Sequence, residues 1–388
     1  VLTSEGVDVV IHDDEFAAVA ANSSEPRLDE GDVERLIAGH GADVRPPARA
    51  GRIVVLTSGT TGRPKGASRG RRGTLIGAAG LLSRMPLRSR GTTIDAAPLF
   101  HAWGLSHMTI ALSMGSTLVL HRRFDADATL DAIERHRADV LVVVPVMLQR
   151  VLALGPDRLV RTDTSSLRVI AAGGSTLGGR LALATMRRFG PILYNIYGST
   201  EVAMATIATP QDLEAVPTTV GRVVPGSRVE ILDDEGRPVA EGRTGRIFVS
   251  SPMRFDGYTT GGSKEVQRGL LSTGDLGHFD EDGRLFVDGR DDDMIVSGGE
   301  NVFPSEVEEL LSHHPLIADV AVVGIADDEF GQALKALVVL KPGATLPPEH
   351  VQRHVAENLA RYKVPRQVVF IHELPRSEVG KVLKRTLP

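Results

Sequence analysis

The chain has 388 residues, 42% of them hydrophobic, which suits roughly two or three packed domains and excludes a mainly disordered chain. Its formal charge of -5 supplies no global basic field for nucleic acid or an anionic membrane surface. With no cysteine, disulfides, thiolate metal sites and a thiol nucleophile are excluded together, and a reducing cytosol fits.

Residues 1–16 mix apolar and acidic positions and lack the basic start and apolar stretch of a secretory leader. No apolar run reaches the roughly 18 residues that span a bilayer, so a soluble, cytoplasmic protein is expected. Short β-branched runs at 53–57, 140–144, 168–172 and 192–196 alternate with helical spacing at 126–137 and 180–189, as at Leu130, Ile133 and Glu134. That alternation predicts an α/β fold with a parallel, helix-covered sheet. From Thr219 the helices give way to the turn clusters Asp233-Asp234-Glu235-Gly236 and Asp280-Glu281-Asp282-Gly283, which predict hairpins in a β-rich subdomain over 219–289. Past Gly289-Arg290, a helix opens at Pro304-Ser305 with Val307, Leu310 and Leu311 on one face. Runs at 319–323 and 367–371, a strand at 334–340 and a helix around Val351, Val355 and Leu359 complete a small α+β domain.

The segment Thr57-Ser58-Gly59-Thr60-Thr61-Gly62-Arg63-Pro64-Lys65-Gly66 follows the first strand. Glycines let backbone N–H groups converge on an anion, hydroxyls add donors and Lys65 adds charge, which makes a phosphate cradle; a solvated turn is the plainer alternative. A Walker A loop is excluded, because Pro64 precedes the lysine and Gly66-Ala67 follows it.

This loop resembles the signature of the adenylate-forming superfamily, which comprises acyl-CoA synthetases, peptide-synthetase adenylation domains and beetle luciferases. Further blocks follow in that family's order: Pro98-Leu99-Phe100-His101, Tyr197-Gly198-Ser199-Thr200-Glu201, Ser272-Thr273-Gly274-Asp275, the stretch 289–308, and Pro375-Arg376-Ser377-Glu378-Val379-Gly380-Lys381. The resemblance covers residues 8–387 and implies an N-terminal domain over 1–290, a hinge and a mobile C-terminal domain over 291–388. Residues 1–52 precede the loop strand, fewer than the family carries there, so a partial large domain lacking some of the sheet and acyl pocket is also implied.

Carried over residue by residue, the resemblance gives Thr57, Ser58, Gly59, Thr60, Thr61, Gly62 and Lys65 to the phosphates of ATP. Tyr197 would stack on adenine opposite Gly173, Gly174 and Ser175, and Thr200 would meet the AMP phosphate. Glu201 would hold Mg2+, a hard cation that takes carboxylate and phosphate oxygens together. Asp275 would accept both ribose hydroxyls, with Arg290 as a second ribose contact. Lys381 would reach the α-phosphate and the substrate carboxylate, where charge builds in the transition state. The pivot is Asp292, within three successive carboxylates expected to form a solvated linker. It would bring in the loop 297–301, where Gly299 allows close approach of coenzyme A. His101, Trp103 and Gly104 fall at the acyl pocket, with His101 near the carboxylate; Trp103 fits ordinary core equally well.

The implied activity is acid–thiol ligation: MgATP and a carboxylic acid give acyl-AMP and pyrophosphate, and coenzyme A takes the acyl group. Neither step needs a protein nucleophile. No aspartate stands beside His101 to hold an ammonium, which favours an uncharged acyl chain such as a fatty acid, with aryl acids open. Two alternatives remain, an acyl-AMP ligase that loads a carrier protein and an inactive nucleotide-binding remnant. His350 and His354 have metal-like i, i+4 spacing without a third ligand and read as an exposed helix face. No Gly-x-Ser-x-Gly elbow supports a serine hydrolase.

Overall fold

The computed structural model describes residues 5–40, 51–58, 64–69, 79–297, 300–327, 330–377 and 380–387. The chain forms two compact units, residues 1–72 with 255–263, and residues 73–254 with 264–388.

In the first unit, Val10–Ile11 pairs in parallel with Arg27–Leu28. The helix Glu30–Gly39 is closed at its start by a capping box, in which Asp29 accepts from the Asp32 N–H at 2.7 Å and Asp32 accepts from the Asp29 N–H at 3.1 Å. Ile53–Ser58 pairs antiparallel with Pro64–Arg69, which also pairs with Gly257–Tyr258. Residues 59–63, which join the first two strands, lie outside the described residues.

The second unit is built on a seven-stranded sheet in the order 222–223, 203–208, 193–199, 169–173, 140–143, 92–95, 117–120. Neighbours from Leu193–Ser199 to Thr117–Leu120 are parallel, as the alternating pattern predicts, while Ala203–Ala208 and Arg222–Val223 are antiparallel additions. Val140–Val143 and Val169–Gly173 are buried along their whole length, which explains their unbroken apolar sequence. On one face Leu141, Val143, Ile170 and Leu193 pack against Leu130, Ile133, Leu148 and Met186 from the helices Ala126–His136, Pro145–Leu152 and Gly179–Phe189. On the other, Val142, Val169, Ala171, Tyr194 and Ile196 pack against Leu81, Met85 and Ala97. Alternation along the strands thus feeds two helix layers.

Past Ala215 the described residues hold no α-helix until Pro304, only a 3-10 turn at Asp291–Asp293. Arg228–Leu232, Gly245–Ser250, Val266–Gln267, Leu270–Phe279 and Leu285–Arg290 make an antiparallel sheet. Both acidic turn clusters are there for the same reason: Asp233 accepts from the N–H groups of Glu235 and Arg237, and Asp280 from those of Asp282 and Arg284. The last part is α+β. Helices Pro304–Ser312 and Pro348–Asn358 and strands Ile317–Asp327, Gly331–Leu340 and Gln367–Phe370 surround Val307, Leu311, Val320, Leu334, Val351 and Val355. Among the described residues no helix is long and apolar enough to cross a membrane.

Candidate active site

Tyr197 stands near the end of Leu193–Ser199, at the carboxyl edge of the parallel strands where open α/β sheets take ligands. Its hydroxyl donates to Asp275 Oδ2 at 2.6 Å, while Arg290 Nη1 donates to Asp275 Oδ1 at 3.2 Å. A hairpin makes this meeting possible, because Asp275 and Arg290 face each other across Leu270–Phe279 and Leu285–Arg290. Gly274, at φ +80, leaves room for the guanidinium, whose Nη2 lies 3.3 Å from where a Cβ would be. Burial and the Asp275 carboxylate hold the Tyr197 phenol well above its usual range. Burial alone would lower Arg290, but Asp292 and Asp275 outweigh it and keep the side chain cationic.

Lys381 lies within electrostatic reach of this group. Burial lowers its pKa from the usual lysine value; the charges of Asp275 and Glu201 act against that and the Arg290 charge adds to it. A tight turn presents the lysine: Ser377 Oγ accepts from the Lys381 N–H at 3.2 Å, and the Ser377 N–H donates back to the Lys381 carbonyl at 2.8 Å. Arg376 anchors this turn by donating to the Gly380 carbonyl at 2.6 Å and to Asp319 Oδ2 at 2.7 Å. Glu201 accepts from Ser199 Oγ at 2.9 Å, and that oxygen accepts from the N–H groups of Glu201 and Val202. Thr200 lies in the same turn. One carboxylate beside an ammonium fits a magnesium ion whose remaining ligands are phosphate oxygens and water; the described residues form no cluster of three metal-ligating side chains.

Gly173 and Gly174 end the strand Val169–Gly173, with Ser175 next to them. A Cβ at Gly173 would lie 3.0 Å from the six-membered ring of Trp103, whose Nε1 donates to the Val143 carbonyl at 3.0 Å. Trp103 is therefore a fixed wall against Gly173. His101 begins the helix Ala102–Ser113 and lies 4.5 Å from the Phe100 ring, centroid to centroid. Two buried polar groups escaped sequence reasoning. His107 Nδ1 donates to the Trp103 carbonyl at 3.0 Å while its Nε2 has no partner, and burial pushes its pKa down to about 4. Asp95, at the carboxyl end of Thr92–Asp95, accepts from the Ala97 N–H at 3.2 Å through one oxygen, and burial pushes it up to about 7. Both flank the block 98–101 without belonging to it, so the block does not flag them.

The remaining expected residues are distributed as follows. In the first unit Thr57 pairs across the strands with Lys65 and donates its hydroxyl to the Lys65 carbonyl at 3.2 Å. Lys65 Nζ lies 5.4 Å from the Tyr258 ring centroid. Ser58 ends the first strand, whereas Gly59, Thr60, Thr61 and Gly62, and Gly299 in the other unit, lie outside the described residues. The three carboxylates expected as an exposed, solvated linker are unburied, with Asp291 and Asp292 exposed. Asp291–Asp293 forms a 3-10 turn in which Asp291 faces Arg246 at 3.4 Å, Asp292 faces Arg290 at 2.9 Å and Asp293 faces Lys384 at 3.8 Å.

The chain matches two family models, AMP-binding enzyme over residues 2–259 and AMP-binding enzyme C-terminal domain over residues 306–381. It is 41% identical over 337 residues to an indoleacetate–CoA ligase of Aromatoleum aromaticum, an alignment that spans 86% of this chain and 66% of that protein. With a medium/long-chain-fatty-acid–CoA ligase of Mycobacterium tuberculosis it shares 34% identity over 89% of this chain and 62% of the relative. Among solved structures, amide bond synthetase McbA from Marinactinospora thermotolerans superposes with a TM-score of 0.86 at 32% identity, over 99% of this chain and 80% of that one.

Proposed function

We propose, from the premise that this chain belongs to the AMP-binding enzyme family, that it is an AMP-forming acid–CoA ligase. The observation that carries the proposal is the convergence of Tyr197, Asp275 and Arg290 at the carboxyl edge of the sheet, within electrostatic reach of Lys381. An ammonium delivered by one domain to a carboxylate pair and an aromatic ring of another suits a bound nucleotide whose α-phosphorus is attacked.

In the first step a carboxylate oxygen of the acid bonds to the α-phosphorus of ATP, and the bond to the leaving pyrophosphate breaks with its electron pair. Lys381 offsets charge on the α-phosphate and the carboxylate, Thr200 donates to the phosphate, and His101 orients the carboxylate. Tyr197 stacks on adenine against Gly173, Gly174 and Ser175, and Asp275 with Arg290 holds the ribose. Thr57, Ser58, Gly59, Thr60, Thr61, Gly62 and Lys65 hold the departing phosphates. Glu201 would hold Mg2+, which when bound neutralises phosphate charge. In the second step the sulfur of coenzyme A gives up its proton and bonds to the acyl carbonyl carbon as AMP leaves. A pivot at Asp292 between domains over 1–290 and 291–388 withdraws Lys381 and brings in Gly299.

The acid is uncharged beyond its carboxylate. The 41% identity to an indoleacetate ligase and the Trp103 wall favour an aryl acid, and the 34% identity to a fatty-acid ligase favours an alkyl chain. The proposed setting is the cytoplasm, which supplies ATP and coenzyme A. The test is ATP–pyrophosphate exchange with aryl acetates, cinnamates and fatty acids of graded length. Coenzyme A, a phosphopantetheinylated carrier protein or an amine is then added as acceptor. Acid-dependent exchange with thioester formed on coenzyme A is expected. Transfer to the carrier or the amine alone would overturn the acceptor, and nucleotide binding with no exchange for any acid would leave an inactive remnant.

A further inference from the structure

The helix Gly179–Phe189 begins at Gly178, which has φ +71 and no side chain with which to cap it. Its first free N–H is nonetheless satisfied. Glu309, on the helix Pro304–Ser312 of the small domain, accepts from the Gly179 N–H through Oε1 at 3.1 Å. A Cβ at Gly178 would lie 3.4 Å from Glu309 Oε2, and one at Gly179 would lie 3.4 Å from Oε1, so the paired glycines leave the helix end open to a carboxylate. A carboxylate at a helix N-terminus gains from both the hydrogen bond and the helix dipole. One turn along, the His313 imidazole faces Glu309, with Nε2 3.8 Å from Oε1.

This cap crosses between domains, and it exists in the same arrangement that brings Lys381 to Asp275 and Glu201. Other contacts near the hinge, such as Ser305 Oγ donating to the Asp288 carbonyl, join residues close in sequence. Glu309 and Gly179 are 130 positions apart. A small domain that rotates about residues 291–293 must break this bond.

We infer that Glu309 is a positioning residue for adenylation: by capping the helix Gly179–Phe189 it holds the small domain where Lys381 can act. The inference rests on the proposed two-step ligation. It predicts that Glu309→Ala lowers acid-dependent ATP–pyrophosphate exchange about tenfold, with thioester formation from supplied acyl-AMP changed less than about twofold. Glu309→Gln keeps the acceptor and the length but not the charge, and loses about threefold. In a Lys381→Ala background, Glu309→Ala has no further effect on residual exchange, because the residue acts through the lysine.

Because the chain has no cysteine, a label pair can be added cleanly at the exposed Arg187→Cys and Glu357→Cys, one on each domain. Spin-label distances between them should lengthen in Glu309→Ala. Equal loss in both half-reactions, an additive loss with Lys381→Ala, or an unchanged distance distribution would each overturn the assignment. Wild-type protein without exchange for any acid would instead sink the ligase reading, while the distances would still decide whether Glu309 docks the domain.

Discussion

Gly380 offers the sharpest test of how Lys381 is delivered. It has φ +76, and a Cβ there would lie 2.4 Å from Val146 Cγ1 and 3.0 Å from Val146 Cβ, on the helix Pro145–Leu152 of the large domain. Gly380→Ala therefore adds two costs of different origin. The left-handed backbone costs an alanine roughly 1–2 kcal/mol wherever the turn forms, so it weakens the turn itself. The overlap with Val146 costs roughly 1–3 kcal/mol and arises only while the lysine turn is docked. At a factor of ten for each 1.4 kcal/mol, the overlap alone lowers the docked population about 5- to 150-fold. Acid-dependent ATP–pyrophosphate exchange should fall by that factor or more, and thioester formation from supplied acyl-AMP by much less. Val146→Ala removes the Cγ1 that lies closest, so Gly380→Ala/Val146→Ala should regain most of the overlap part and keep the backbone part. A double variant no better than Gly380→Ala, or a Gly380→Ala protein that adenylates like wild type, would refute the docking argument.

Further outcomes follow from the same site. Lys381→Ala should lower adenylation about 10²- to 10³-fold and leave thioester formation from acyl-AMP within about twofold, measured as separate half-reactions. Since burial lowers the Lys381 pKa, wild-type adenylation should fail as pH rises at a lower pH than an ordinary lysine would set, and stopped-time exchange assays across alkaline pH would show it. Asp292→Pro should slow thioester formation more than adenylation by fixing φ at the pivot, whereas Asp292→Asn, which only removes charge, should leave the ratio of the two rates nearer wild type. Asp95 titrates at about 7 in the fold against 3.8 in the unfolded chain, so the native state holds its proton more tightly. Stability should therefore fall by roughly 4 kcal/mol as pH rises from about 4 to 7, and Asp95→Asn should flatten that slope in urea titrations.

The sheet was legible because its strands are buried on both faces and read as apolar runs at 140–144, 168–172 and 192–196, each within a residue or a few of the strand observed. Turn chemistry was equally local, and the Asp233 and Asp280 clusters form the turns their side chains dictate. What could not be read are functions set by remote partners. Arg376 has no role of its own in its block until Asp319 and the Gly380 carbonyl are seen at its guanidinium. Three adjacent aspartates are unburied as expected, but the cations they face, Arg246, Arg290 and Lys384, lie on strands and turns the run itself does not encode. Glu309 sits among ordinary helix residues, and only its position opposite Gly179 sets it apart. His107 carried no signal either, since the i, i+4 carbonyl that orients its ring is a backbone atom.

Both oxygens of Asp275 already hold a partner, Tyr197 on one and Arg290 on the other. Each carboxylate oxygen keeps a second lone pair, so a ribose could add its two vicinal hydroxyls beside the phenol and the guanidinium without displacing either. A sugar with a single hydroxyl would leave one of those places unfilled. Preference for ribose over deoxyribose would then come from spare acceptor capacity on a carboxylate that the protein's own donors hold in register between turnovers.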